Sequence, residues 1–157
     1  MEPLARLLVV DDDESNRDML SRRLRKAGYE VESAEGGRSA LDLLGKHVFD
    51  LMLLDNMMPG LSGVEVLRRV REKHSPCQLP VIMVTAQCDG ASVLAALRQG
   101  ANDYLTKPMD FPAALARIEI QLKRRWADRI VGREVKPATT GGGGVSIEGE
   151  MGKGSNW

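Results

Sequence analysis

Short apolar runs alternate with helix-period segments along the chain as far as about Ala127. Leu7–Val10, Leu51–Leu54 and Val81–Val84 show no polar alternation, which suits strands covered on both faces, as in a parallel sheet. Tyr29-Glu30-Val31-Glu32 alternates like an edge strand, and Asp103-Tyr104-Leu105 makes a fifth, weaker run. Helical spacing fills the gaps between them. Met19, Leu20 and Leu24 precede Gly28; Leu41 and Leu44 precede Gly45; Val93, Leu94 and Leu97 run to Gly100, a helix stop. Val64, Leu67 and Val70 follow Ser62, whose partner Glu65 completes a Ser-x-x-Glu capping box. Leu115, Ile118 and Leu122 mark a last helix, and Trp126 and Ile130 continue its spacing, so it is expected to run past the sheet. The order is β-α repeated five times. It predicts a doubly wound, five-stranded parallel α/β sheet with right-handed crossovers and helices on both faces.

Composition divides the chain at its far end. Eight of the 16 glycines lie in Gly132–Trp157, which carries Gly141-Gly142-Gly143-Gly144 and few branched apolar residues. Such a segment offsets little of its own ordering entropy and reads as a flexible tail. The expected organisation is one domain over 1–127, then a helix extension and glycine-rich tail over 128–157. With 43% hydrophobic residues a core is available, and 22 basic against 22 acidic residues speak against a nucleic-acid coat. Cys77 and Cys88 match no zinc or redox spacing, and His47 and His74 alone make a histidine-built metal site a poor expectation. Leu7–Val10 is too short for a signal peptide or a membrane span, so the expected location is the cytoplasm.

The chemistry sits at the strand ends. The first central strand ends in Asp11-Asp12-Asp13, the third in Asp55 and the fourth in Thr85, while the fifth leads into Lys107-Pro108. In open parallel sheets the carboxyl ends of the strands border the functional crevice where strand order reverses. Parallel strands would therefore bring Asp11, Asp12, Asp55, Thr85 and Lys107 onto one patch. Carboxylates held so close repel and call for a cation; with only oxygen ligands the fitting ion is hard and divalent, most simply Mg²⁺. Lys107 adds positive charge for an anion and Thr85 a hydroxyl donor. The patch reads as a phosphoryl-transfer centre with a carboxylate nucleophile. Taken singly, each residue has a plainer reading. Asp11–Asp13 could cap the first helix, Asp55 could be a turn residue, and Thr85 could end a strand. Lys107 could be a solvated lysine and Tyr104 an ordinary packing residue. Met52, Met57, Met58 and Met83 are read as packing.

Together, Leu8-Val9-Val10-Asp11-Asp12-Asp13, Asp50–Gly60, Val84-Thr85-Ala86 and Tyr104-Leu105-Thr106-Lys107-Pro108 resemble the receiver domain of two-component response regulators. The resemblance covers roughly Arg6 to Ala127. It implies a flavodoxin-like sheet of strand order 2-1-3-4-5 and a signalling switch that catalyses only its own phosphorylation and dephosphorylation. By that resemblance, Asp55 would accept a phosphoryl group from a sensor histidine kinase or phosphotransfer protein. Asp12, Asp55 and the backbone carbonyl of Met57 would hold Mg²⁺, with Asp11 assisting through water. Lys107 would pair with the phosphoryl oxygens, Thr85 would hydrogen-bond them, and Tyr104 would turn inward behind it. The family usually has a cis bond before the proline matching Pro108. Signal would leave through the face of the fourth helix, fifth strand and fifth helix, toward a partner, an output domain or a second copy, with no nucleic acid or membrane contacted directly.

Two rival chemistries fit less well. Phosphatases of the haloacid dehalogenase type carry a second Asp two positions after the nucleophile, where this chain has Met57. A flavodoxin-type carrier needs a phosphate-cradling first loop, where this chain has Asp11-Asp12-Asp13-Glu14. Gln87 is the nearby polar residue that could orient a hydrolytic water. Arg117–Lys136 carries seven basic and three acidic residues, either a solvated helix face or a patch for a partner. The last 30 or so residues are too few for a DNA-binding domain. Both a stand-alone receiver and a receiver from a longer regulator remain open.

Overall fold

A computed structural model describes residues 4–86 and 90–142, with side chains as far as residue 127. The elements run β1 (Arg6–Val10), α1 (Glu14–Lys26), β2 (Glu30–Ala34), α2 (Gly37–Lys46), β3 (Leu51–Asp55), α3 (Gly63–Lys73), β4 (Val81–Thr85), α4 (Gly90–Arg98), β5 (Asp103–Thr106) and α5 (Phe111–Gly142). The five strands form one parallel sheet of order β2-β1-β3-β4-β5, as the alternation of elements predicts. Strand β2 is an edge strand, which accounts for its polar alternation. The two compact units of the chain divide between Lys123 and Arg124, inside α5.

Successive residues of each central strand feed opposite cores. Leu8, Val10, Met52, Leu54, Val81 and Met83 pack with Ala40, Val66, Leu67, Val70 and Ala96 of α2, α3 and α4. Leu7, Val9, Leu51, Leu53, Ile82 and Val84 pack with Leu20 and Leu24 of α1 and with Ala114, Ile118 and Leu122 of α5. All five residues of β3 and of β4 are buried, which is why their sequences show no alternation.

Local signals set the helix ends. Asp13 caps α1, its carboxylate accepting from the Ser15 amide at 2.9 Å and the Asn16 amide at 3.2 Å. Ser62 and Glu65 close the expected capping box on α3. Gly28 and Gly100 take φ of +106° and +109° just beyond α1 and α4, a conformation glycine adopts without strain. Three details differ from the sequence reading. Helix α2 continues to Lys46, so Gly45 lies inside it rather than ending it. Leu94 and Leu97 of α4 are exposed; this short helix buries Ala96 instead. Helix α5 continues past Gly132 as far as Gly142, into the segment whose composition reads as tail; residues 143–157, Gln87 and Cys88 lie outside the described residues.

The far end of the sheet is held by a residue that no sequence pattern singles out. The half-buried Arg71 guanidinium donates to the carbonyls of Gly100 (2.9 Å), His74 (3.1 Å) and Leu79 (2.9 Å) and to Asn102 Oδ1 (2.9 Å). Asn102 Oδ1 also accepts from the Val81 amide at 3.0 Å, so one cluster fixes the starts of β4 and β5. Burial lowers the Arg71 pKa to about 10, which leaves it charged at neutral pH. Arg71→Ala would leave several carbonyls unpaired. Urea unfolding should show a loss of about 2–4 kcal/mol.

Candidate functional site

Parallel pairing brings the strand ends to one rim. In register, Val10 lies beside Leu54, so Asp11 and Asp55 come next on neighbouring strands at the point where strand order reverses. The Asn56 amide donates to the Val84 carbonyl at 3.0 Å, and the Lys107 amide to the Thr85 carbonyl at 2.8 Å. These two bonds tie the loops after β3 and β5 to the end of β4. The Lys107–Pro108 peptide is cis, as the resemblance implies.

Lys107 bridges the acids, its Nζ lying 3.2 Å from Asp11 Oδ2 and 3.3 Å from Asp55 Oδ2. Asp11 and Asp55 are buried, whereas Asp12 is exposed at the lip. Backbone amides hold the buried pair. The Asp13 amide donates to Asp11 Oδ1 at 2.9 Å, and the Met57 amide to Asp55 Oδ1 at 3.2 Å. Asp11, Asp12 and Asp55 each present an oxygen atom, all within 4.8 Å of one another.

The electrostatics stem from crowding. Burial pushes the Asp55 carboxyl up to about 6, and Asp11 adds to the rise; Lys107 and the Met57 amide oppose it without cancelling it. For Lys107, burial works against the charged form. The carboxylates of Asp11 and Asp55 outweigh it and hold the ammonium above its ordinary pKa. Three carboxylates against one ammonium leave an excess of negative charge around an all-oxygen donor set. That set fits a hard divalent cation, and Mg²⁺ suits the chemistry because it takes one or two carboxylates and keeps waters for exchange with an anion.

The remaining candidates lie on β3, β4 and β5 and in the turn after β3. Thr85 is buried at the end of β4. Tyr104 is half-buried in the middle of β5, its ring against the α2–α3–α4 core. Met52, Met58 and Met83 pack in that core as expected, but Met57 is 57% exposed, so it is not a packing residue. The structure also adds a residue that spacing did not show. Gly63, at the start of α3, lies directly on the backbone of Asp55 and Asn56.

This geometry sets three carboxylates and one lysine on a single rim of a doubly wound sheet. Residues 7–119 match the model of the response regulator receiver domain, and the chain belongs to that family. A response regulator from Chloroflexus aurantiacus J-10-fl is 38% identical, covering 78% of this chain and 99% of its own, with a TM-score of 0.71. A CheY-like receiver domain protein from Methanospirillum hungatei JF-1 is 30% identical over 80% of this chain and 98% of its own, with a TM-score of 0.75. NtrX from Brucella abortus is 29% identical with a TM-score of 0.76; the match covers 84% of this chain but 30% of NtrX. Receiver domains are signalling switches that generally bind Mg²⁺ at an acidic pocket. Their interactions are with kinases or phosphotransfer partners and with output domains. Among the described residues no helix is long and apolar enough to cross a membrane.

Proposed function

We propose that this chain is a phosphorylation-controlled switch in which Asp55 accepts a phosphoryl group from a histidine kinase or phosphotransfer protein in the cytoplasm. The observation that carries this reading is Lys107 Nζ within 3.3 Å of both Asp11 and Asp55, on a rim with three convergent carboxylates. An Asp55 oxygen attacks the phosphorus of a phosphohistidine; the new P–O bond forms as the P–N bond breaks, and the imidazole leaves with the electron pair. Asp11, Asp12, Asp55 and the Met57 backbone carbonyl would hold Mg²⁺, which supplies positive charge to the phosphoryl oxygens when bound. Lys107 exchanges its contact with Asp55 for one with a phosphoryl oxygen, so the ammonium stays paired throughout. Beyond this self-modification the chain turns over no substrate.

Phosphorylation adds charge beside the end of β4 and draws in the Thr85 hydroxyl. Tyr104, whose backbone neighbour Leu105 pairs with Val84, then repacks behind Thr85. The result is a shift between two packings, driven only by their difference in affinity for the phosphoryl group. The exposed Leu94 and Leu97 on α4 and Ile120 on α5 make the α4–β5–α5 face the output surface, for a protein partner, an output domain or a second copy. A second reading makes the chain the receiver part of a longer regulator with a C-terminal output domain, in keeping with its match to 30% of NtrX. Beryllofluoride with Mg²⁺ mimics the phosphoryl group and tests the switch. Amide shifts should spread from Asp55 through Thr85 and Tyr104 to Leu115–Leu122. Thr85→Ala should bind the mimic yet lose that spread; shifts confined to the strand ends, or undiminished in Thr85→Ala, refute this route.

A further inference from the structure

We infer that Gly63 is a positioning residue for the phosphoacceptor, an inference that rests on the reading of Asp55 just given. Its φ is not in the left-handed region, unlike those of Gly28, Gly60 and Gly100, so the backbone angle does not demand glycine. Proximity does. A Cβ at position 63 would lie 2.5 Å from the Asp55 carbonyl oxygen and 2.6 Å from Asn56 Cα, closer than real Cβ atoms come. It would also meet Met83 Cε at 3.0 Å, but that is the far end of a flexible side chain and can turn away. Two backbone atoms cannot.

The first residue of α3 is thus seated on the peptide joining Asp55 to Asn56. The Gly63 amide donates to the Asn56 carbonyl at 3.0 Å, and the Ser62–Glu65 capping box fixes the helix start from the other side. The same stretch of chain carries the Met57 amide that holds the Asp55 carboxylate at 3.2 Å. A side chain at 63 must therefore lift α3 or drive the Asp55–Asn56 peptide toward the rim. Either movement changes the spacing of Asp55 from Asp11 and Asp12, which a cation must share. Gly100, just beyond α4 at the far end of the sheet, is the natural control. Its φ is +109°, and a Cβ there would lie 3.0 Å from Arg71 Cγ, so Gly100→Ala is costly for a reason remote from the rim. It should lower stability and leave the rim alone.

The test compares wild type, Gly63→Ala, Gly100→Ala and the double variant Gly63→Ala/Met83→Ala. Circular dichroism and urea unfolding read the fold, and amide shifts of Asp55, Asn56 and Met57 in metal-free protein read the loop. Mg²⁺ titration and the rate of labelling by acetyl phosphate read the site. Both single variants should lose stability, but only Gly63→Ala should shift the three amides, weaken Mg²⁺ and slow labelling, by up to about a hundredfold for a displacement near 1 Å. Added space at Met83 should return neither Mg²⁺ affinity nor rate, because the close contacts are with backbone atoms. Wild-type Mg²⁺ binding in Gly63→Ala, rescue of both properties by Met83→Ala, or failure of both Gly63 variants to fold would each overturn the inference. Should wild type itself bind no Mg²⁺ and take no label, the phosphoacceptor reading falls; the metal-free amide shifts still decide whether Gly63 positions the loop.

Discussion

Asp55→Asn takes up no phosphoryl group from acetyl phosphate, while wild type gains one phosphoryl mass in Mg²⁺ and close to none in excess EDTA. This is the expected result of intact-mass measurement. The substitution keeps the shape of the side chain: its single amide oxygen can still accept from the Met57 amide, which lies 3.2 Å from Asp55 Oδ1, while Lys107 keeps its ion pair with Asp11 at 3.2 Å. What it removes is the nucleophile, since an amide oxygen attacks phosphorus far more weakly than a carboxylate. Loss of labelling in a folded Asp55→Asn therefore isolates chemistry from structure. The EDTA arm isolates charge. With Asp11 and Asp55 facing one ammonium, an incoming phosphoryl group meets net negative charge, and Lys107 alone cannot offset it. Labelling that persists in Asp55→Asn, or runs equally fast without divalent cation, would sink the assignment.

The strands and the rim were legible because they rest on local composition. Leu51–Leu54 and Val81–Val84 must be covered on both faces, and in a parallel sheet the residues at the carboxyl ends of its strands must converge. The limits of that legibility lie where a residue acts on a partner far along the chain. Arg71 looks like any basic residue in the last turn of a helix, yet it binds Gly100 and Asn102 across 29 and 31 positions. Gly63 reads as a weak helix former, and only the assembled fold shows the Asp55 carbonyl beneath it. Helical period likewise records which side chains share a face, not which face is covered. Leu94 and Leu97 have the period of a buried stripe, but α4 turns Ala96 inward and leaves both exposed. Met57 has the composition of a core residue in a Met-Met pair, and the turn after β3 puts Met58 inside and Met57 outside.

The raised pKa of Asp55 also makes stability itself a readout of the site. In the unfolded chain its carboxyl titrates near 3.8, and in the metal-free fold at about 6, chiefly because burial penalises the charged form. Below both values the group is protonated in either state and contributes no pH dependence. Between them the folded chain binds the proton and the unfolded chain does not, so stability falls as pH rises through this window. Above about 6 the full penalty is present. Lys107 does not blur the window, because its pKa is raised from an already high value and its charge is constant there. Asp55→Asn removes the titrating group and with it this slope. The stability of the variant relative to wild type should therefore grow by about 2 kcal/mol between roughly pH 4.5 and pH 7.5 in EDTA, read by urea unfolding. Saturating Mg²⁺ should shrink that difference at the upper pH, since a cation that binds the ionised rim stabilises wild type by mass action and finds one carboxylate fewer in the variant. A stability difference that stays level across the window, or narrows as pH rises in EDTA, would mean that the folded state holds the Asp55 carboxylate without strain, and the crowded-rim account of the site would fail.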